Sequence, residues 1–514
     1  MDRNIGITLC LMLKLCYQDH TMSETHCPAR CHCFTPTRAI CSEERMLTMP
    51  RNISQVRELV VMTTGLSYLD TNTFQENPRL AKLVFLNNLL REVSVRAFDP
   101  LPGLEELEIS GNSWLERLYP GTFRKQVNLT RLLLNFNRFQ TVTPGIFDSL
   151  QNLETLQLKG NLISHLPGLL FQNLTSLRSL DLSQNALTRV DRELLTGLTQ
   201  LETLILGYNQ ITGLSPDSFH NVSQMRELYL DGNKISDLPH GIFSNLTKLE
   251  VLSLRGNLIT NVSHRTFPFS LKELNLNNNK LSELSFNPFT SLTALTQLYL
   301  SSNRLHELPV DLLRNLTALQ VVDLSDNQLT SLPEEIFMEL SDIKVVHLHN
   351  NNLSSIKPRL FEHQVLLEQL YLSQNNLQNL PLGLLDYFLS ENMIRLHGNP
   401  WNCDCNIQYM YDWMGENHRY VEDLSKMLCA GPVPLRGQSL ASVHRDQLVC
   451  PMQRSPQPSH CTLHTDNDTL IIKCKVDKCS PLKLKVQLYE DDGRTAEYIF
   501  KNETSQCSNS TITV

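Results

Sequence analysis

One asparagine returns through most of the chain, at 88, 112, 137, 161, 185, 209, 233, 257, 279, 303, 327, 351, 375 and 399, in steps of 24 residues broken once by 25 and once by 22. It closes the pattern L-x-x-L-x-L-x-x-N-x-L, as in LETLQLKGNLI from 153, LRSLDLSQNAL from 177, LETLILGYNQI from 201 and MRELYLDGNKI from 225. Thr64 holds the same place in a first, degenerate unit. A period of this length overrides local propensity, because it requires one supersecondary unit stacked on copies of itself.

The physics of a single unit follows from its pattern. In L-x-L the leucines alternate with period two, so they point inward from a short parallel strand while the residues between them face out. The asparagine amide can satisfy backbone groups of adjacent units that water no longer reaches. Ten residues after it comes a bulky apolar residue, Phe98, Phe147, Phe171, Phe219, Phe243, Phe267, Phe289, Phe337 or Phe361, with Leu195, Leu313 and Leu385 standing in. These form a second apolar spine under the convex side. The expected fold class is therefore an α/β-type solenoid, a leucine-rich repeat horseshoe with a parallel β-sheet on the concave face. No unit buries enough apolar surface to order itself, so both ends need caps.

Cysteine supplies the caps. Residues 1–26 contain Arg3 and a mostly apolar stretch from 5 to 15, read as a secretory signal and a short following segment that includes Cys10 and Cys16. The other cysteines form three groups of four: Cys27, Cys31, Cys33 and Cys41; Cys403, Cys405, Cys429 and Cys450; Cys461, Cys474, Cys479 and Cys507. Eleven Asn-x-Ser/Thr sequons, at Asn52, Asn128, Asn173, Asn221, Asn245, Asn261, Asn315, Asn352, Asn467, Asn502 and Asn509, point to a secreted, extracellular glycoprotein. In that compartment even cysteine clusters imply disulfides rather than a zinc site at Cys403 and Cys405. Two groups flank the repeats, where the apolar core would otherwise meet water. Trp401 takes an inward position held elsewhere by Leu or Ile, and IQYMYDWM reads as a short amphipathic helix across the end, with Trp401 and Trp413 packing rather than functional.

The organisation expected is a signal peptide and short segment over 1–26, a cap over 27–55, about fourteen repeats over 56–398, a cap over 399–451, a linker over 452–459 and a disulfide-bonded β tail over 460–514. In the tail TLIIKCKV, LKLKVQLY, EYIF and STITV read as short strands, and two internal disulfides are expected. No run of eighteen apolar residues follows the signal, so no membrane span is expected.

The sequence offers little for catalysis. It has no G-x-S-x-G, H-E-x-x-H or glycine-rich phosphate loop, and no cofactor is expected. His347 and His349, two apart on a strand, put both imidazoles on one face and could ligate a metal. With no carboxylate or third histidine at ligand spacing in sequence, a solvated surface pair is the better reading, and no metal site is expected. A net charge of −8 and a near balance of acidic and basic residues at outward positions exclude a nucleic-acid stripe.

Binding remains. Asn52, Asn173, Asn221, Asn245 and Asn315 each lie twelve residues before a unit's turn position, on one convex flank, and no sequon is placed within a strand. That leaves the concave sheet free of sugar for a partner, although loops accept glycans more readily than strands in any case. Outward strand positions carry Phe136, Tyr208, Tyr229, Tyr299 and Tyr371, large amphipathic groups of the kind enriched at hot spots.

LNFN from 134, LHGNPWNCDC from 396, CAGPVPLRGQ from 429 and QLVCP from 447, with the four-cysteine tail, give a chain that resembles the non-catalytic (regulatory) subunit of plasma carboxypeptidase N. Caps and repeats of this kind also occur in platelet glycoprotein V, matrix proteoglycans and Toll-like receptor ectodomains; the tail is the specific part. The resemblance implies a glycosylated carrier in a hetero-oligomer, which binds, stabilises and retains in blood a zinc carboxypeptidase that removes C-terminal Lys and Arg. Catalysis would belong to that partner. By analogy with such caps it also implies the pairs Cys27–Cys33, Cys31–Cys41, Cys403–Cys429 and Cys405–Cys450, where spacing alone allows three pairings per group. An adhesion or matrix-binding protein and an immune recognition module are the alternatives.

Overall fold

The computed structural model describes residues 27–450, apart from 29, 51–53, 285–286 and 389–391, together with the backbone of the strands between 461 and 513. The signal, Asn52, the linker, Asn467, Asn509, Cys479 and Cys507 lie outside the described residues, as do the side chains of Cys461, Cys474 and Asn502. The chain forms two compact units, one up to Asn303 and one from Arg304.

In the first unit each repeat contributes one strand to a parallel sheet, and the register steps by whole repeats: Leu180 lies opposite Leu156 on one side and Leu204 on the other. The early strands Glu58–Met62, Lys82–Leu86 and Glu106–Ser110 run five residues, whereas those from Arg131–Leu133 onward run three. The central leucines of these three-residue strands are fully buried. In long and short strands alike, the residue before each asparagine takes a left-handed φ, as at Asn87, Gln184, Tyr208 and Asn278. The backbone there leaves the extended region and delivers the asparagine side chain into the stack.

That side chain is the hinge of every turn. Asn209 donates from Nδ2 to the carbonyls of Leu206 and, one repeat back, Leu182, both at 3.0 Å, while its Oδ1 accepts from Leu187 N at 3.0 Å. Asn161, Asn185, Asn233 and Asn257 repeat this arrangement. Thr64 stands in with its backbone N and hydroxyl, which both donate to Asn88 Oδ1.

Under the opposite side the phenylalanines stack. Ring centroids run 5.8 Å from Phe219 to Phe243, 6.4 Å to Phe267 and 6.2 Å to Phe289. Phe74 and Phe123 extend this spine beyond the residues that the ten-residue spacing picks out after each asparagine, stacking on Phe98 at 5.9 and 6.1 Å. Phe123 sits eleven residues after Asn112 because that unit is the 25-residue one.

At the N-terminal end Cys27 is bonded to Cys33 and Cys31 to Cys41. These bonds pin an antiparallel hairpin, Cys31–Thr35 with Arg38–Cys41, whose second strand pairs in parallel with Glu58–Met62. The cap therefore satisfies the first edge of the sheet as well as covering the core.

The second unit continues the same pattern with Val321–Asp323, Val345–His347, Gln369–Tyr371, Met393–Arg395 and Val421–Glu422 in parallel register. Phe337 and Phe361 stack at 5.4 Å. Trp401 is fully buried, and its indole donates to Leu396 O at 3.2 Å, which places it in the core. The helix Gln408–Asn417 buries Met410 and Met414 and leaves Trp413 half-buried. Cys403 is bonded to Cys429 and Cys405 to Cys450.

The tail holds an antiparallel sheet of Cys461–Asp466, Thr469–Cys474 and Ser510–Thr513 and a hairpin of Leu482–Tyr489 with Thr495–Asn502. Cys461–Asp466 was not expected as a strand, since CTLHTD lacks an apolar alternation. Thr495–Asn502 also corrects the expectation that no sequon lies in a strand, because Asn502 is its last residue. No helix of the described residues is long and apolar enough to cross a membrane.

Candidate functional site: the outward face of the sheet

Of the five aromatics expected at outward strand positions, Tyr229, Tyr299 and Tyr371 each end a three-residue strand. Phe136 and Tyr208 do not: both occupy the left-handed position before the asparagine, at φ 53° and 56°, beyond the strand end. Each ring lies against the glycine one repeat on, Gly160 or Gly232, and a Cβ at either glycine would collide with the ring. These two rings stay about half exposed or more, at 52% and 61%.

On the sheet of the first unit Tyr229 donates to Glu227 Oε2 at 3.3 Å and Tyr299 to Gln297 Oε1 at 2.7 Å, partners two residues back on the same face. Burial first, then the Glu227 carboxylate, pushes the Tyr229 phenol up to about 12. Burial, reinforced by Asp231 and Glu227, pushes Glu273 above the usual carboxylate range. This face is acidic around Tyr229, with Asp231 accepting from the Ser253 hydroxyl.

The second unit assembles a denser site. Five successive strands align Asp323, His347, Tyr371, Arg395 and Glu422 in register. His347 stacks on Tyr371 with centroids 4.5 Å apart and planes 3° from parallel, and the Arg395 guanidinium lies 4.0 Å from the same ring. Arg395 also pairs with Glu422. Sandwiched between imidazole and guanidinium, Tyr371 is only 8% exposed, which corrects its reading as an accessible outward aromatic. His349 adds its ring 5.8 Å from His347, and His397 lies 3.8 Å from the Asp423 carboxylate. The two histidines are thus half-buried parts of a polar cluster, not a solvated surface pair. Asp323, Arg395, His397 and Glu422 escaped sequence reasoning because each is unremarkable alone; their shared phase relative to the asparagines was the available signal.

Burial is the main cause that lowers the basicity of both His347 and His349, opposed by Asp323 and, at His349, also by Asp326, and aided by Arg395. An unfolded histidine takes up a proton near pH 6.5, so between the depressed folded values and that point the unfolded chain binds more protons, and stability falls as the pH falls. The contribution is complete above about pH 6.5 and is lost on acidification toward the depressed folded values. The melting midpoint is expected to fall on acidification through this window, and His347→Gln with His349→Gln should shrink the fall. Thermal melts across a pH series check this.

Neither cysteine cap offers thiolates to a metal. Asp404, Cys405 and Cys450 lie close together, but the two sulfurs are bonded to each other and Asp404 accepts from Asn406 N and Asn402 Nδ2. Among the sequons, Asn128, Asn245, Asn261, Asn315 and Asn352 are exposed, whereas Asn173 and Asn221 are half-buried.

Stacked turns with an asparagine ladder, disulfide-pinned ends and one continuous polar sheet face in each unit define a leucine-rich repeat scaffold. Residues 54–113, 127–187, 175–235, 223–268 and 317–377 match the leucine rich repeat family, about half of the chain, with further repeats at 270–292 and 294–316 and the leucine rich repeat C-terminal domain at 427–451. The chain belongs to the leucine-rich repeat family. It is similar to human carboxypeptidase N subunit 2, with 35% identity over 20% of this chain and 22% of that protein. It is also similar to a phospholipase A2 inhibitor of Gloydius brevicaudus siniticus, with 33% identity over 13% of this chain and 20% of the inhibitor. The aligned segments therefore span about a fifth of the length of these relatives. A solved leucine-rich repeat protein of Leptospira interrogans superposes with a TM-score of 0.64 at 27% identity, covering 74% of this chain and 94% of its own.

Proposed function

We propose that this chain is a secreted, non-catalytic binding subunit that associates with, stabilises and retains in circulation a zinc carboxypeptidase of the carboxypeptidase N type. The observation that carries the reading is the similarity to carboxypeptidase N subunit 2; the phospholipase A2 inhibitor is a second relative named for an enzyme. The outward sheet faces, with Tyr229, Tyr299 and the cluster around Tyr371, and the exposed rings of Phe136 and Tyr208, are the surfaces offered to the partner. Glycans on the exposed sequons would enlarge the particle and slow its loss from blood.

A carrier that binds only the folded peptidase stabilises it by mass action, by about 2.7 kcal/mol when free carrier exceeds the dissociation constant a hundredfold. Mixed with carboxypeptidase N catalytic subunit, the purified chain should co-elute on gel filtration and lengthen the activity half-life at elevated temperature. Alone it should release no C-terminal Lys or Arg. Absence of a complex with unchanged half-life at micromolar carrier would overturn the reading in favour of adhesion or matrix binding.

A further inference from the structure

In the second unit three imidazole nitrogens are shielded from solvent and have no hydrogen-bond partner: His347 Nε2, His349 Nδ1 and His397 Nδ1. An unpaired buried polar atom is costly, so each of these nitrogens is a place for a water or an ion. His397 has a carboxylate at hand in Asp423. His347 and His349 have instead each other, on the same face of one strand and its extension.

We propose that His347 and His349 form a two-histidine site for a zinc-class divalent ion, completed by water. Zn²⁺ sits about 2.0–2.1 Å from each ligating nitrogen, and the two rings lie on one face with centroids 5.8 Å apart and planes inclined by 65°. The His347 ring is held in place before any ion arrives, by its parallel stack on Tyr371, which Arg395 covers in turn. Ligands fixed in this way lose little rotamer freedom on binding. Asp323 and Asp326 supply negative charge nearby, and Arg395 and His397 oppose it. Asp326, on the turn after Asp323, already accepts from Asn350 Nδ2, and Asp323 from Ser325. Among the described residues no third His, Cys, Asp or Glu brings a ligand atom within range of both histidines, so the protein supplies two ligands and water the rest.

The test uses the full secreted chain, stripped with EDTA and titrated with zinc chloride against a fluorescent zinc indicator. His347→Gln and His349→Gln should each weaken the tightest zinc-binding event by about tenfold or more, since losing even a residue that only supports a metal ligand costs roughly 10–100-fold. His397→Gln should leave it within about twofold, because His397 lies outside the chelate, two strands away from His349. In the unmodified chain, zinc should protect His347 and His349 from diethyl pyrocarbonate, read by peptide mass spectrometry, which needs no variant to fold. Undiminished zinc binding in the His347→Gln and His349→Gln chains, or equal labelling of both histidines with and without zinc, overturns the proposal.

Discussion

Phe243→Ala lowers the stability of the first unit by about 3–5 kcal/mol, the range for deleting a fully buried aromatic from a packed core. Phe243 is completely shielded and stacks on Phe219 on one side and Phe267 on the other, so its removal opens a cavity between two rings. The backbone of both neighbouring repeats is tied down by asparagine bonds and strand pairing and cannot collapse into the gap. Because each repeat leans only on its neighbours, the loss is local. Hydrogen exchange should quicken most in the repeats from 219 to 267 and least at the N-terminal cap. Uniform quickening across the unit would mean that the spine acts as one cooperative body rather than as a chain of pairwise contacts.

Asn257→Ala produces an effect of similar size by a different route. Asn257 Nδ2 donates to Leu230 O and Leu254 O at 2.9 Å each, and Oδ1 accepts from Ile235 N at 3.1 Å. Alanine leaves three buried backbone groups without this partner, at roughly 1–3 kcal/mol for each that finds no substitute. Asn257→Asp is informative beside it: a carboxylate keeps the acceptor for Ile235 N but cannot donate to the two carbonyls, so it should be no better than alanine. Tyr208→Ala, which removes a ring 61% exposed, should barely change the melt. A melt in which Tyr208→Ala destabilises more than Asn257→Ala would mean that inward and outward positions are misassigned.

Much of this was open to a reader of the sequence because the repeat is self-consistent. A leucine at every L-x-L position is buried for one reason, and the asparagine recurs because every turn must satisfy the same three backbone groups. Where one unit is a residue longer, the rule slipped and Phe123 was missed. The outward aromatics were read less well. Periodicity locates a residue relative to the asparagine but not the φ it must adopt, and so Phe136 and Tyr208 were placed on strands that end before them.

The sequence by itself determined the solenoid, the positions of its inward leucines and asparagines, and the need to close its ends, since each follows from a period that the chain carries along its length. Only the tertiary structure decided what the outward residues become. Parallel strands one repeat apart lie about 4.8 Å from each other, so residues 24 apart in sequence touch while neighbours in sequence point to opposite faces. That geometry brings Asp323, His347, Tyr371, Arg395 and Glu422 into one line and buries Tyr371 between an imidazole and a guanidinium. The identity of each side chain comes from its own repeat, but its environment comes from the two repeats beside it.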